Sequence, residues 1–227
     1  MGMTACHWRR THSERVAMGG LFLSAFVTLF VVIDPPGCAP IFASLTRDAD
    51  APHRRAMAIR STLIAAAILL LFAAVGEPLL GALGISLDAF RVAGGIMLFL
   101  IALEMVFERR TQRRESRAEQ INRRSAETHQ PVEDISVFPM AIPMIAGPGA
   151  IATVMLLTSR DHGIALVVVL AALGLVLALT MVALLAAGRL MRVLGDKLEA
   201  MITRVLGVLL AALAAQFVID GLKASFS

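Results

Sequence analysis

Two short proline-glycine sequences contain the residue types best suited to binding a small ligand. They are Asp34–Gly37 (Asp-Pro-Pro-Gly) and Gly147–Gly149 (Gly-Pro-Gly), and each lies inside an otherwise apolar stretch. Proline removes a backbone amide and glycine permits unusual backbone angles, so we expect each sequence to interrupt a helix. A helix that restarts there, near Cys38 or Ala150, presents free amides and a partial positive charge that can bind a carboxylate. Carbonyls released just before the interruption can hold a cation or a protonated amine.

Asp34 gives the first of these sequences a chemistry that the second does not have. An ionisable residue at membrane depth is costly, which makes Asp34 a candidate for binding a proton or a cation. It also suits the simpler role of capping the helix that follows, by accepting from the amide of Gly37 or Cys38. The two roles are compatible. The second sequence has Ala146 near the corresponding place, and both interruptions can also be plain kinks of the kind that membrane helices tolerate.

The composition indicates a protein that crosses a membrane several times. Of the 227 residues 58% are hydrophobic and 17% are charged, and a helix needs about 20 apolar residues to cross a bilayer. Lipid offers no partner to a bare amide, so each span should be helical. We predict an all-α membrane protein with six spans, which are Met18–Leu45, Ala58–Val75, Val92–Phe107, Val137–Leu157, Ile164–Ala187 and Ile202–Leu222. The path of the link from Gly76 to Arg91 stays open.

Two landmarks recur about half a chain length apart, which predicts a duplicated unit. The Pro-Gly pair at Pro36 returns at Pro148, and the sequence Arg91–Gly94 returns as Arg204–Gly207. Three spans in each unit make the second copy enter the bilayer with reversed polarity, so the repeats are inverted, with spans 1 and 4 broken at the Pro-Gly motifs. Paired interrupted spans in inverted halves are typical of transporters that bind substrate near the midplane. The predicted parts are a tail (1–17), a first repeat (18–107), a basic cytoplasmic linker (108–136) and a second repeat (137–223).

Charge predicts the orientation and excludes some partners. Most of the 21 lysines and arginines lie on the first, third and fifth links, which should therefore be cytoplasmic, with both termini periplasmic. Arg9, Arg10 and Arg15 before the first span favour the opposite orientation, but we follow the whole-chain count. The linker mixes acidic with basic residues and has no aromatic side chain for stacking. We therefore expect contact with membrane lipids rather than with nucleic acid.

The chemistry of a cofactor-dependent or hydrolytic enzyme is not expected. Cys6 and Cys38 lie far apart, so a disulfide is not predicted, and the five histidines are scattered without metal-ligand spacing. An intramembrane aspartyl protease needs two facing carboxylates, and Asp34 has no counterpart in the second half. The sequence thus predicts neither a metal, a cofactor nor an enzymatic activity.

Two further polar residues are candidates for contact with a ligand. Thr153 lies one turn beyond Gly149, and Gln216 lies on the last span, from which it can reach inward. The predicted substrate-binding residues are Asp34, Pro36, Gly37, Gly147, Pro148, Gly149, Thr153 and Gln216.

Four separated motifs resemble those of the MarC family of bacterial inner-membrane proteins. They are Val32–Phe42, Phe138–Ile151, Phe90–Ile96 and the closing Arg204–Gly207 with Gln216 and Gly221, so the resemblance covers residues 18–223. It implies a six-span inner-membrane protein related to small amino-acid exporters, some of which are linked to neutral amino acids such as alanine and glycine. The family name comes from a proposed role in multiple antibiotic resistance.

Our functional prediction combines the interrupted spans with this resemblance. It is a secondary transporter or exporter of small neutral amino acids that works by alternating access, with protons or Na⁺ as candidate coupling ions. Two alternatives stay open, a drug or stress-resistance efflux protein and a membrane scaffold or sensor that transports nothing. The sequence does not distinguish the substrate, the direction of transport or the oligomeric state.

Overall fold

Helices make up most of the described part of the chain. A computed structural model describes residues 3–47, 49–107, 134–159 and 163–226, so the predicted linker of residues 108–136 lies almost wholly outside the described residues. Within those ranges the chain forms eight helical segments and no strand. They are α1 (Met3–Ile33), α2 (Pro35–Leu45), α3 (Ala51–Ala82), α4 (Leu87–Val106), α5 (Ser136–Ile145), α6 (Pro148–Thr158), α7 (Ile164–Leu185) and α8 (Ala187–Ser225).

These helices provide five or six candidate membrane spans. Five are long and apolar enough on their own, and the first of them runs from Met18 through α1 and α2 to Leu45. Helices α5 and α6 make a sixth if the pair, which bends by 55° at its break, is counted as one span. The prediction of a multi-span all-helical protein is confirmed.

Apolar side chains fill the interior of the bundle and also cover its outer surface, which suits contact with lipid. Large side chains such as those of Phe42, Met140 and Ile145 are fully buried, whereas Leu63 and Ile164 are 62% and 70% exposed. Hydroxyl groups inside the bundle donate to the carbonyl one turn back, which satisfies them without a second helix. These residues are Thr28, Thr46, Ser61, Thr62, Thr153, Thr158 and Thr180.

Helices α4 and α8 make the most extensive contact in the bundle and run antiparallel. A β-carbon added to Gly95 would lie 2.9 Å from the carbonyl oxygen of Ala214, and one added to Gly207 would lie 3.1 Å from that of Ala102. The same construction on Gly221 gives 3.0 Å to the carbonyl oxygen of Asp88. The contacts thus advance by seven residues along each helix, and the missing side chains allow the two backbones to approach closely.

Most of the other contacts join the two halves of the chain. Helix α1 packs on α7 and α5 packs on α3, while α2 packs on α8 and α6 packs on α4. Helix α2 also contacts α7, and α6 contacts α3. Each helix of one half is therefore held mainly by helices of the other half.

The link that the sequence left open, between Gly76 and Arg91, is short. Helix α3 continues through Glu77 and Pro78 to Ala82, and α4 begins at Leu87 with the Ser86 hydroxyl accepting from the Ala89 amide at 3.2 Å. An internal proline removes one helical hydrogen bond, which membrane helices tolerate, so Pro78 does not end α3.

Helix α8 begins well before the predicted last span. It has 39 residues and is about 58 Å long at 1.5 Å per residue, against a hydrocarbon core of about 30 Å. The part suited to the membrane is Ala200–Ser225. The first turns of α8, from Ala187, therefore lie outside the candidate span.

Candidate functional site

Asp34 separates α1 from α2 in a backbone conformation that few residues adopt. Its φ and ψ are 58° and 64°, in the left-handed region, which aspartate visits more readily than most other residues with a side chain. Helix α2 then starts at Pro35, not near Cys38 as predicted from the sequence. Proline suits this first position because its ring sets a helical φ and it has no amide to satisfy.

The Asp34 carboxylate caps α2 from inside the bundle. Its Oδ1 accepts from the Gly37 amide at 3.1 Å, and the residue is only 1% exposed. The Cys38 amide donates to the Asp34 carbonyl at 3.0 Å, which begins the helical ladder. A β-carbon on Gly37 would collide with the Asp34 carboxylate, so the cap requires glycine at this position. Pro36 lies between them in the first turn of α2.

The second interruption separates its two helices by two residues, Ala146 and Gly147, and the helix that follows it starts without a side-chain cap. Helix α5 contains Pro139 and Pro143 and is held by bonds that span five residues, such as that from the Ala146 amide to the Ala141 carbonyl at 2.9 Å. Gly147 is extended, with φ −76° and ψ 169°, and α6 begins at Pro148 with no side chain capping it. Here too the helix starts before the predicted Ala150, because proline occupies the first position.

Gly147 is expected to be the least replaceable residue of the second interruption. A β-carbon there would collide with the carbonyl oxygen of Pro143, a backbone atom that cannot rotate away. We predict that Gly147→Ala destabilises the protein by about 1–3 kcal/mol, the usual cost of overpacking, read as a lower melting temperature in detergent. The matched control is Gly81→Ala on α3, where an added β-carbon meets nothing within 4 Å. Equal melting temperatures for the two variants would contradict the close contact at Gly147.

The two interruptions meet inside the bundle. A β-carbon added to Gly149 would lie 3.7 Å from Cγ1 of Val32 and 3.8 Å from Cδ2 of Leu98, and would collide with Cδ1 of Ile101. Val32 precedes Asp34 by two residues, so the start of α6 lies beside the end of α1. Helix α4 supplies the other wall through Leu98 and Ile101.

Thr153 lies with this group and Gln216 does not. Thr153 is fully buried, and its hydroxyl donates to the Gly149 carbonyl at 2.8 Å. Gln216 is exposed and its Nε2 donates to Oδ1 of Asp220 at 2.7 Å. Gln216 follows Ala214, which faces α4, by two residues and hence by about 200° around α8. Gln216 therefore points away from α4, whereas the sequence predicted that it reaches inward to contact a ligand.

The sequence did not predict that two residues of α4, Leu98 and Ile101, lie beside Gly149. Leu98 and Ile101 look like ordinary apolar span residues, and only the three-dimensional contact with Gly149 distinguishes them. Val32 begins the motif Val32–Phe42, but nothing in that motif indicated that Val32 contacts the second half of the chain.

Asp134 anchors the start of α5 to α3. Its Oδ1 accepts from both the amide and the hydroxyl of Ser136, and its Oδ2 lies 3.0 Å from Nη1 of Arg60. The bond from the Ser136 hydroxyl is the main cause that lowers the pKa of Asp134 below its usual value, with further lowering from Arg60. Because both side chains are about half exposed, this ion pair orients the chain more than it stabilises the fold.

The described residues contain no cluster suited to a metal. Nowhere in the described ranges do three or more His, Cys, Asp or Glu residues come together at ligand distance. What the site does offer is one buried carboxylate, which caps α2, and the uncapped N-terminus of α6, where exposed Pro148 is followed by buried Gly149 and Ala150.

Comparisons with known proteins identify the family of a chain with this architecture. Residues 20–226 match the profile described as "MarC family integral membrane protein". The chain belongs to the MarC family. It is 36% identical over 204 residues to a UPF0056 membrane protein of Methanocaldococcus jannaschii, which covers 89% of this chain and 96% of that protein. No solved structure matches it.

Two Escherichia coli K12 proteins are also similar to this MarC chain. The UPF0056 membrane protein YhcE is 32% identical over 212 residues, which are 91% of this chain and 94% of that protein. The UPF0056 inner membrane protein YhgN is 33% identical over 204 residues, 88% and 95% of the two chains. The resemblance inferred from four motifs is confirmed, and the protein is an integral membrane protein with multiple spans.

Proposed function

We propose that this MarC protein is a secondary transporter of small neutral amino acids in the inner membrane, working by alternating access. The observation that carries the proposal is the contact between the start of α6, at Gly149, and the end of α1, at Val32, two residues before Asp34. The start of α6, which no side chain caps, suits a carboxylate. Asp34 at the start of α2 supplies a carboxylate suited to an ammonium group or a proton. Together they complement a zwitterion without a buried arginine.

The packing of the helices supports an inverted repeat. Under a half-chain repeat the counterparts are α1 with α5, α2 with α6, α3 with α7 and α4 with α8. The contact of α1 with α7 then corresponds to that of α5 with α3, and the contact of α2 with α8 to that of α6 with α4. The antiparallel pair α4 and α8 would lie on the pseudo-twofold axis. Such an arrangement would suit a site shared by two halves that rock against each other.

A binding screen with matched ligands tests the proposal. Alanine is expected to raise the melting temperature of the purified protein, since a ligand at a hundred times its Kd adds about 2.7 kcal/mol to the free energy of unfolding. Alaninamide, which lacks the carboxylate, and propionate, which lacks the amine, are expected to have little effect.

The same purified protein in vesicles should accumulate labelled alanine above empty vesicles. If antibiotics stabilise the protein and amino acids do not, the efflux alternative replaces this proposal. If no solute stabilises it and the vesicles accumulate nothing, the protein is a scaffold or a sensor.

A further inference from the structure

A concave surface lined by two arginines lies where α3 begins and α7 meets α8. Its volume is about 400 Å³, and its lining includes Arg54, Leu185, Gly188 and Arg189. Helix α7 ends at Leu185 and α8 begins at Ala187, so the chain turns at Ala186 without a loop. The Arg189 amide donates to the Ala186 carbonyl at 2.8 Å, which fixes Arg189 in the first turn of α8.

Neither arginine is paired with an acidic side chain that the structure describes. The ion pairs of Arg60 with Asp134 and of Arg91 with Asp88 involve neither Arg54 nor Arg189. A guanidinium presents planar forked donors that match the oxygens of a phosphate. Gly188 lines the concavity, and a β-carbon added to it meets nothing within 4 Å, so glycine leaves this part of the lining open.

The position of the concavity relative to the spans indicates a lipid headgroup as the source of that phosphate. The candidate spans of α3 and α7 end here, at Ala51 and Leu185, so the arginines lie at the level of the membrane surface. Leu185 lines the same concavity and is 45% exposed, so it offers an apolar contact to the acyl chain of a lipid. Basic pockets between spans at the membrane surface suit anionic lipids.

We propose that this concavity binds the phosphate of an anionic phospholipid, with Arg54 and Arg189 holding its oxygens. The competing explanations are that the arginines only orient the protein in the membrane, or that they bind a free phosphate. This proposal holds whether or not the protein transports amino acids.

Lipid titration of delipidated full-length protein in neutral detergent tests the proposal. Dioleoyl phosphatidylglycerol is expected to raise the melting temperature in a saturable, salt-sensitive manner, and dioleoyl phosphatidylcholine is not. In Arg54→Gln/Arg189→Gln the apparent affinity for phosphatidylglycerol should fall at least about tenfold, as expected for losing charged hydrogen bonds. The matched control, Arg47→Gln/Arg55→Gln, removes the same charge from exposed residues outside the concavity and should bind like the parent.

A second variant tests the concavity without a change in charge. Gly188→Leu adds a large side chain to the lining of the concavity, where an added β-carbon meets nothing within 4 Å, and should weaken phosphatidylglycerol binding as well. Parental affinity in both the double variant and Gly188→Leu would overturn the proposal. So would an equal stabilisation by sn-glycerol 3-phosphate at the same concentration, which would indicate a site for free phosphate.

Discussion

Asp34→Asn is expected to reduce alanine transport at least about tenfold and leave the fold intact. Asparagine keeps an oxygen that can accept from the Gly37 amide, as Asp34 Oδ1 does at 3.1 Å, and it tolerates the left-handed backbone of this residue. What the substitution removes is the charge. Loss of a charged hydrogen bond to an ammonium group costs about 1.5–3 kcal/mol, or roughly 10- to 100-fold in rate or affinity.

The measurement is uptake of labelled alanine by proteoliposomes across a range of pH, with the melting temperature of the same preparation. A carrier that couples transport to protonation of Asp34 should also lose its dependence on pH in the variant.

Asp50→Asn is the matched control for Asp34→Asn. Asp50 caps α3 in the same manner, with its Oδ1 accepting from the His53 amide at 2.9 Å, but it is exposed at the end of a span. Asp50→Asn should transport alanine at the parental rate. If Asp34→Asn did so too, with unchanged pH dependence, the role of Asp34 would be confined to capping α2.

Composition and motifs were sufficient to predict the fold class and the family. Apolar stretches in lipid have few alternatives to helices, because every backbone amide must find a partner within the chain. The starts of α2 and α6 could be placed to within a few residues, since proline and glycine restrict the backbone locally. The inverted repeat and the interrupted spans stay predictions that the packing supports.

Contacts between distant parts of the chain could not be predicted. Nothing local in Gly149 identifies Ile101 and Val32 as its neighbours, because that contact depends on how α6 lies against α1 and α4. Gln216 was expected to reach inward, but the face that α8 turns to α4 is set by Gly207, Ala214 and Gly221, which leaves Gln216 exposed. The path from Gly76 to Arg91 was left open, and the structure shows that α3 continues past Pro78 to Ala82.

A disulfide between the two interruptions is expected to stop transport almost completely. A β-carbon built on Gly149 lies 3.7 Å from Cγ1 of Val32, so the sulfur of a cysteine at residue 32 would lie near the β-carbon of a cysteine at residue 149. If the site must open toward each side of the membrane in turn, a covalent bond across it holds the protein in one state. The expected loss is therefore larger than that of any single substitution.

The measurement that tests the central claim is alanine uptake by Val32→Cys/Gly149→Cys before oxidation, after oxidation and after reduction, with Cys6 and Cys38 replaced by alanine. We predict that the disulfide forms readily, that it abolishes uptake, and that reduction restores it, whereas each single-cysteine variant is unaffected by the oxidant. Failure of the two cysteines to join, or full uptake by the joined protein, would contradict a shared site that opens between the two halves.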